Sequence, residues 1–72
     1  MGKGTRKLGN CVRELREKRG GITQQELADL VGVTRQTVIA IEGNKYSPSL
    51  EVAFMIAQAL RAPIEEVFQY GE

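Results

Sequence analysis

From residue 8 onward, apolar residues recur at three- and four-residue spacing and are interrupted by short clusters of glycine, proline, serine, threonine and asparagine. That pattern predicts helices separated by turns. Leu8, Cys11, Val12 and Leu15, with Arg13, Glu14, Glu17 and Lys18 between them, form an amphipathic first helix that Gly20 and Gly21 end. Thr23 followed three residues later by Glu26 is a capping box opening helix 2, in which Leu27, Leu30 and Val31 share one face. Gly32 closes it. Thr34 caps a third helix running through Val38 and Ile41 to Glu42, stopped by Gly43 and Asn44. Beyond the polar loop Lys45–Pro48, Ser49 caps Leu50 to Leu60, and the stripe Leu50, Ala53, Phe54, Ala57 and Leu60 predicts the most buried helix. Pro63 suits the first turn of a short fifth helix, Ile64 to Phe68, with Gln69 to Glu72 as a tail. Met1 to Gly9, with three glycines and three basic residues, reads as a flexible basic arm ahead of one domain spanning 10–72.

Composition narrows the chemistry. A chain of 72 residues has a marginal core and needs well-packed helices, a covalent or metal staple, or self-association. One cysteine and no histidine leave no internal disulfide, no tetrahedral zinc site and no Cys/His nucleophilic pair. The expectation is therefore no catalytic residue, no metal, no cofactor and no small-molecule ligand. Cys11 reads as a small core residue. No apolar run approaches the roughly 18 to 20 residues of a membrane span, and no apolar stretch follows the basic N-terminus, so a cytoplasmic protein is expected. The net charge is only +1, but it is unevenly placed. Residues 1–36 carry eight basic against four acidic side chains, and residues 37–72 two against five. One end of the molecule is suited to a phosphate backbone.

Two short helices joined by a glycine-containing turn match the helix-turn-helix, whose second helix must offer both a core face and a groove face. Counting about 100° per residue from Arg35, the residues Arg35, Ile39, Gln36 and Ala40 fall at about 0°, 40°, 100° and 140°. Thr34, Val38 and Ile41 fall opposite. The outer face holds base-reading chemistry: arginine bonds guanine O6 and N7, glutamine bonds adenine N6 and N7, and Ile39 and Ala40 suit thymine methyls. Gln24, at the start of helix 2, places a helix N-terminus and an amide where a phosphate would lie. Thr34, Thr37, Asn44, Lys45 and Tyr46 are suited to the DNA backbone, which positions without conveying sequence.

The segment T-Q-Q-E-L-A-D-L-V-G-V-T-R-Q-T-V-I-A-I-E (Thr23 to Glu42), followed by N-K-Y-S-P-S-L (Asn44 to Leu50), resembles the Cro/C1-type, or XRE-family, helix-turn-helix. The R-Q-T, N-K-Y-x-P-S-L and E-x-x-F-Q segments are most similar to the small dimeric cytolysin-repressor-like group. The resemblance covers about Val12 to Phe68. It implies an all-α, five-helix, lambda-repressor-like domain that binds double-stranded operator DNA as a homodimer and represses transcription in a prokaryotic-type, nucleoid-associated setting. By position it implies a structural salt bridge between Arg16 and Glu42. It places Gln24, Arg35, Gln36 and Ala40 at base-contact positions. Ile64, Val67, Phe68 and Tyr70, left over from a core already supplied by helices 1 to 4, are assigned to a two-fold dimer interface.

Three features depart from the family pattern: the Gly20-Gly21 connection is one residue longer than the commonest form, Ala40 is small where polar or basic residues are frequent, and the glycine-rich basic arm does not align with it. A second reading stays open at this point, an antitoxin-like protein-interaction module with secondary DNA binding.

Overall fold

The computed structural model describes residues 7–71. In chain order the elements are β1 (Lys7–Asn10), α1 (Val12–Lys18), α2 (Gln24–Val31), α3 (Arg35–Glu42), α4 (Leu50–Leu60), α5 (Ile64–Val67) and β2 (Phe68–Gly71). The local signals explain most boundaries. The Thr23 hydroxyl accepts from the Glu26 amide at 3.0 Å while the Glu26 carboxylate accepts from the Thr23 amide at 2.9 Å, so the capping box is complete. Thr34 and Ser49 cap α3 and α4 in the same way, accepting from the amides of Thr37 and Val52. Between α1 and α2, Gly20 and Gly21 have φ of 90° and 72°, a left-handed pair that side chains with a Cβ rarely adopt.

The core is formed by Val12, Leu27, Ala28, Val31, Val38, Ile41, Ile56, Ala57, Leu60, Ala62 and Val67. Leu27, Ile56 and Leu60 are wholly enclosed, each worth about 1.5–3 kcal/mol of burial. The densest helix contacts run from α2 to α3 and from α2 to α4.

Among the described residues five helices are present as expected, but the fold is not all-α. β1 and β2 pair antiparallel in a two-stranded sheet, with Leu8 opposite Tyr70 and Asn10 opposite Phe68. Leu8, expected to open the first helical stripe, is a strand residue, and α1 starts only at Val12. Phe68, expected as the last residue of the fifth helix, opens β2, and Gln69 to Gly71 of the expected tail continue that strand. Strands of four residues leave too little pattern to distinguish from helix or coil, and their pairing partner is at the far end of the chain. Of the expected arm, Lys3 and Arg6 lie outside the described residues, whereas Lys7 to Gly9 belong to β1.

Three further expectations about burial are corrected. Leu30 is 64% exposed, because α2 turns the arc Leu27, Ala28 and Val31 inward and leaves Leu30 at its edge. Leu50 and Phe54 are exposed, because α4 buries Ala53, Ile56, Ala57 and Leu60 instead, the alanines permitting close approach to α2. Val67 is 0% exposed within this chain and is core, with no surface left for a partner. Cys11 is half-buried at the start of α1, its amide donating to the Val67 carbonyl at 2.8 Å.

Candidate nucleic-acid interface

The sequence from Thr34 to Glu42 is short, capped and two-faced, and its folded form keeps that character. Val38 and Ile41 point into the core, whereas Arg35, Gln36 and Ile39 face outward, Ile39 at 41% exposure; Ala40 is half-buried. At its N-terminus the hydroxyls of Thr34 and Thr37 lie 3.0 Å apart. At its C-terminus the helix ends by backbone bonds from Gly43 to the Ile39 carbonyl, Asn44 to Ile41 and Lys45 to Ala40. Asn44 takes a left-handed φ of 59°, a conformation asparagine tolerates better than most residues. Asn44, Lys45 and Tyr46 are all exposed in the loop that follows.

Behind this helix runs a continuous polar chain. The Arg16 guanidinium donates to the Glu42 carboxylate through Nε at 2.8 Å and through Nη2 at 3.3 Å, and its Nη1 donates to the Ile22 carbonyl at 2.9 Å. Both side chains are almost enclosed, at 11% and 8% exposure. The pair therefore joins α1 to the end of α3 in a setting where loss of one partner is costly. Gln24 extends the chain: its Nε2 donates to Glu42 Oε1 at 3.1 Å, and its Oε1 accepts from Arg35 Nε at 3.4 Å. Arg35 is thus held through one nitrogen, leaving its terminal nitrogens toward solvent. Two pairs expected on different grounds, Arg16 with Glu42 and Gln24 with Arg35, form one connected unit.

Asn10 is a contributor that the sequence reading passed over. Its Oδ1 accepts from the Val12 amide at 3.1 Å, while its Nδ2 donates to the Ile41 carbonyl at 2.9 Å and to Asn44 Oδ1 at 3.0 Å. An asparagine two residues before a helix start is a recognised turn signal, but the expected first helix ran straight through it. On the sheet, Leu8 and Phe68 face Tyr46, Ser47 and Pro48 across a narrow cleft. Ile64 and Phe68 are half-buried, and Tyr70 is 69% exposed. Among the described residues no group of acidic, cysteine or histidine side chains could hold a metal ion, and no helix is long and apolar enough to cross a membrane.

A capped helix with a buried apolar face and an outward face carrying Arg35 and Gln36 has the two-faced form that a helix-turn-helix asks of its second helix. The family model described as Helix-turn-helix matches residues 12–67. The chain belongs to this Cro/C1-type helix-turn-helix family, a non-enzymatic DNA-binding class. It is similar to an uncharacterized HTH-type transcriptional regulator of Methanothermobacter thermautotrophicus, 59% identical over 66 residues that make up 90% of this chain and 94% of the relative. An uncharacterized HTH-type transcriptional regulator of Bacillus subtilis is 51% identical over 65 residues, 90% of this chain and 97% of that protein. Another from Archaeoglobus fulgidus is 46% identical over 61 residues, 85% and 86% of the two chains.

Proposed function

We propose that this protein is a transcriptional repressor that binds a two-fold symmetric operator as a homodimer, with α2 and α3 as the helix-turn-helix and α3 in the major groove. The observation that carries this reading is the outer face of α3. Arg35 and Gln36 stand exposed at the start of a capped helix, beside Ile39 and above Ala40. Arg35 and Gln36 are the polar base readers, and Ile39 and Ala40 meet thymine methyls. Gln24 lies against Arg35 and limits the directions its guanidinium can take, so part of the search for the bidentate geometry is settled before DNA arrives. Thr34, Thr37, Asn44, Lys45 and Tyr46 contact the phosphate backbone at the two ends of the helix.

Dimerisation uses the apolar and aromatic surface of α5 and β2. Ile64, Phe68 and Tyr70 supply it, and Val67 supports them from within the core. The two recognition helices then enter successive major grooves about 34 Å apart. With only two polar readers on α3, part of the sequence preference comes from DNA shape. Selection of bound sites from random duplex DNA tests the whole reading. The expected outcome is an inverted repeat with half-site centres one helical turn apart; unrelated sequences with no repeat would overturn it.

A further inference from the structure

We propose that Asn10 is a positioning residue for DNA binding, holding the Asn44 carboxamide with its amide group turned outward as a donor to a phosphate oxygen. The inference rests on the reading of the Asn44–Tyr46 loop as a backbone contact and adds to it a residue from the opposite end of the fold.

The orientation follows from donor and acceptor bookkeeping. One end of Asn10 is fixed because only an oxygen can accept from the Val12 N–H at 3.1 Å. The other end is fixed because only a nitrogen can donate to the Ile41 carbonyl at 2.9 Å. The second hydrogen of that same Nδ2 points at Asn44, 3.0 Å away, and can be met only by an acceptor. Asn44 must therefore turn its Oδ1 inward and its Nδ2 away. Among the described residues that Nδ2 has no acceptor, and Asn44 is exposed. It follows Gly43, the C-cap of α3, with a left-handed φ of 59°, and precedes Lys45 in the loop. An NH2 group with two unused hydrogens beside a lysine is a phosphate-binding arrangement, and an inverted carboxamide would present a repelling oxygen instead.

The same side chain carries a second connection. Asn10 ends β1, opposite Phe68 of β2, so a single carboxamide joins the sheet to the last turn of the recognition helix.

Asn10→Ser tests the proposal, because serine is neutral and can still accept from the Val12 amide, but its shorter side chain carries a single hydroxyl proton and cannot reproduce the two donations to Ile41 and Asn44. Asn44→Gly is its companion, keeping the left-handed backbone while deleting the carboxamide. Binding to a fixed duplex is measured for both single variants and the double variant, with thermal unfolding followed in parallel to confirm that each is folded at the binding temperature. Each single variant is expected to bind about 3- to 10-fold more weakly. The double variant is expected to bind like Asn44→Gly alone, since Asn10 has nothing left to orient. A purely structural Asn10 would lower affinity by the same factor in both backgrounds, and that additivity overturns the proposal. Wild-type affinity in Asn44→Gly overturns it too. Lys45→Ala then separates the two ideas: if it weakens binding the loop still contacts the backbone, and if it does not the underlying reading has failed as well.

Discussion

Removal of the Glu42 carboxylate is the most demanding test of how α3 is held. In Glu42→Ala, Arg16 loses the two bonds at 2.8 and 3.3 Å, and Gln24 loses its bond at 3.1 Å. Arg16 keeps its bond to the Ile22 carbonyl but remains a charge with only 11% of its side chain exposed. Breaking a buried pair from one side costs about 3–5 kcal/mol, and the surviving Ile22 bond argues for the lower end. A chain of 72 residues has about 4–11 kcal/mol of stability in total. A loss of about 3 kcal/mol therefore consumes a large share of it and lowers the melting temperature by about 12–24 °C. Glu42→Gln preserves volume and one acceptor oxygen but turns an NH2 toward groups that are themselves donors, for a loss of about 1.5–3 kcal/mol. Arg16→Met combined with Glu42→Leu removes both charges and restores apolar filling, so its stability lies within about 1 kcal/mol of the parent.

Urea unfolding followed by circular dichroism measures all three, with the slope checked for constancy so that midpoints compare stability alone. The combined variant also separates stability from function. It remains folded yet binds DNA more weakly, because Gln24 and, through it, Arg35 have lost their anchor. A loss below about 1 kcal/mol in Glu42→Ala would mean that the pair behaves as a solvated surface contact. A combined variant as unstable as Glu42→Ala would refute the buried-charge reasoning directly.

Other outcomes follow from the same geometry. Arg35→Ala and Gln36→Ala each weaken operator binding by about 1–3 kcal/mol and relax preference at individual base pairs, as a gel-shift series on single-substituted operators will show. Lys45→Ala weakens binding to every sequence and reduces the salt slope by about 0.9. In the absence of DNA, light scattering at tens of micromolar gives a dimer, and Tyr70→Glu shifts it toward monomer; a strict monomer in the parent protein removes the dimer proposal. Arg61 ends α4 at a left-handed φ of 56°, so Arg61→Gly raises stability by about 0.5–1 kcal/mol in thermal unfolding, the relief of strain exceeding the added chain entropy.

What the sequence revealed depended on how local the responsible interaction was. α2, α3 and α4 were legible to the residue because Thr23, Thr34 and Ser49 are cap residues within three positions of the amides they satisfy. The outward placement of Arg35, Gln36 and Ile39 followed from helical geometry. Ala40, expected beside them, is half-buried, and Thr34, expected opposite with Val38 and Ile41, is exposed because it caps the helix rather than lying within it. The sheet was not legible, since neither four-residue strand carries a pattern of its own and each is defined by its partner. For the same reason Asn10 was missed: two of its three partners, Ile41 and Asn44, lie 31 and 34 positions away. Leu50 and Phe54 were misplaced because a stripe fixes which side of a helix is apolar but not how far the helix is rotated over its neighbours. The Arg16–Glu42 pair came from family resemblance, as no local rule joins residues 26 positions apart.

The small sheet also dictates an order of assembly. Its strands pair residues from the two ends of the described chain, Lys7 with Gly71 through Asn10 with Phe68, whereas each helix closes through backbone bonds to neighbours a few residues away. Two four-residue strands have no independent stability in water, and bringing such distant ends together costs entropy before any contact repays it. The strands therefore zip only after α1 and α5 have docked on the bundle and have done the work of loop closure. Asn10 sits at the end of that zipper, so the last turn of α3 and the loop beyond it are secured at the final step of folding. Hydrogen exchange should show the strand amides opening first, while the middle of α2, packed against both α3 and α4, opens only with the whole molecule.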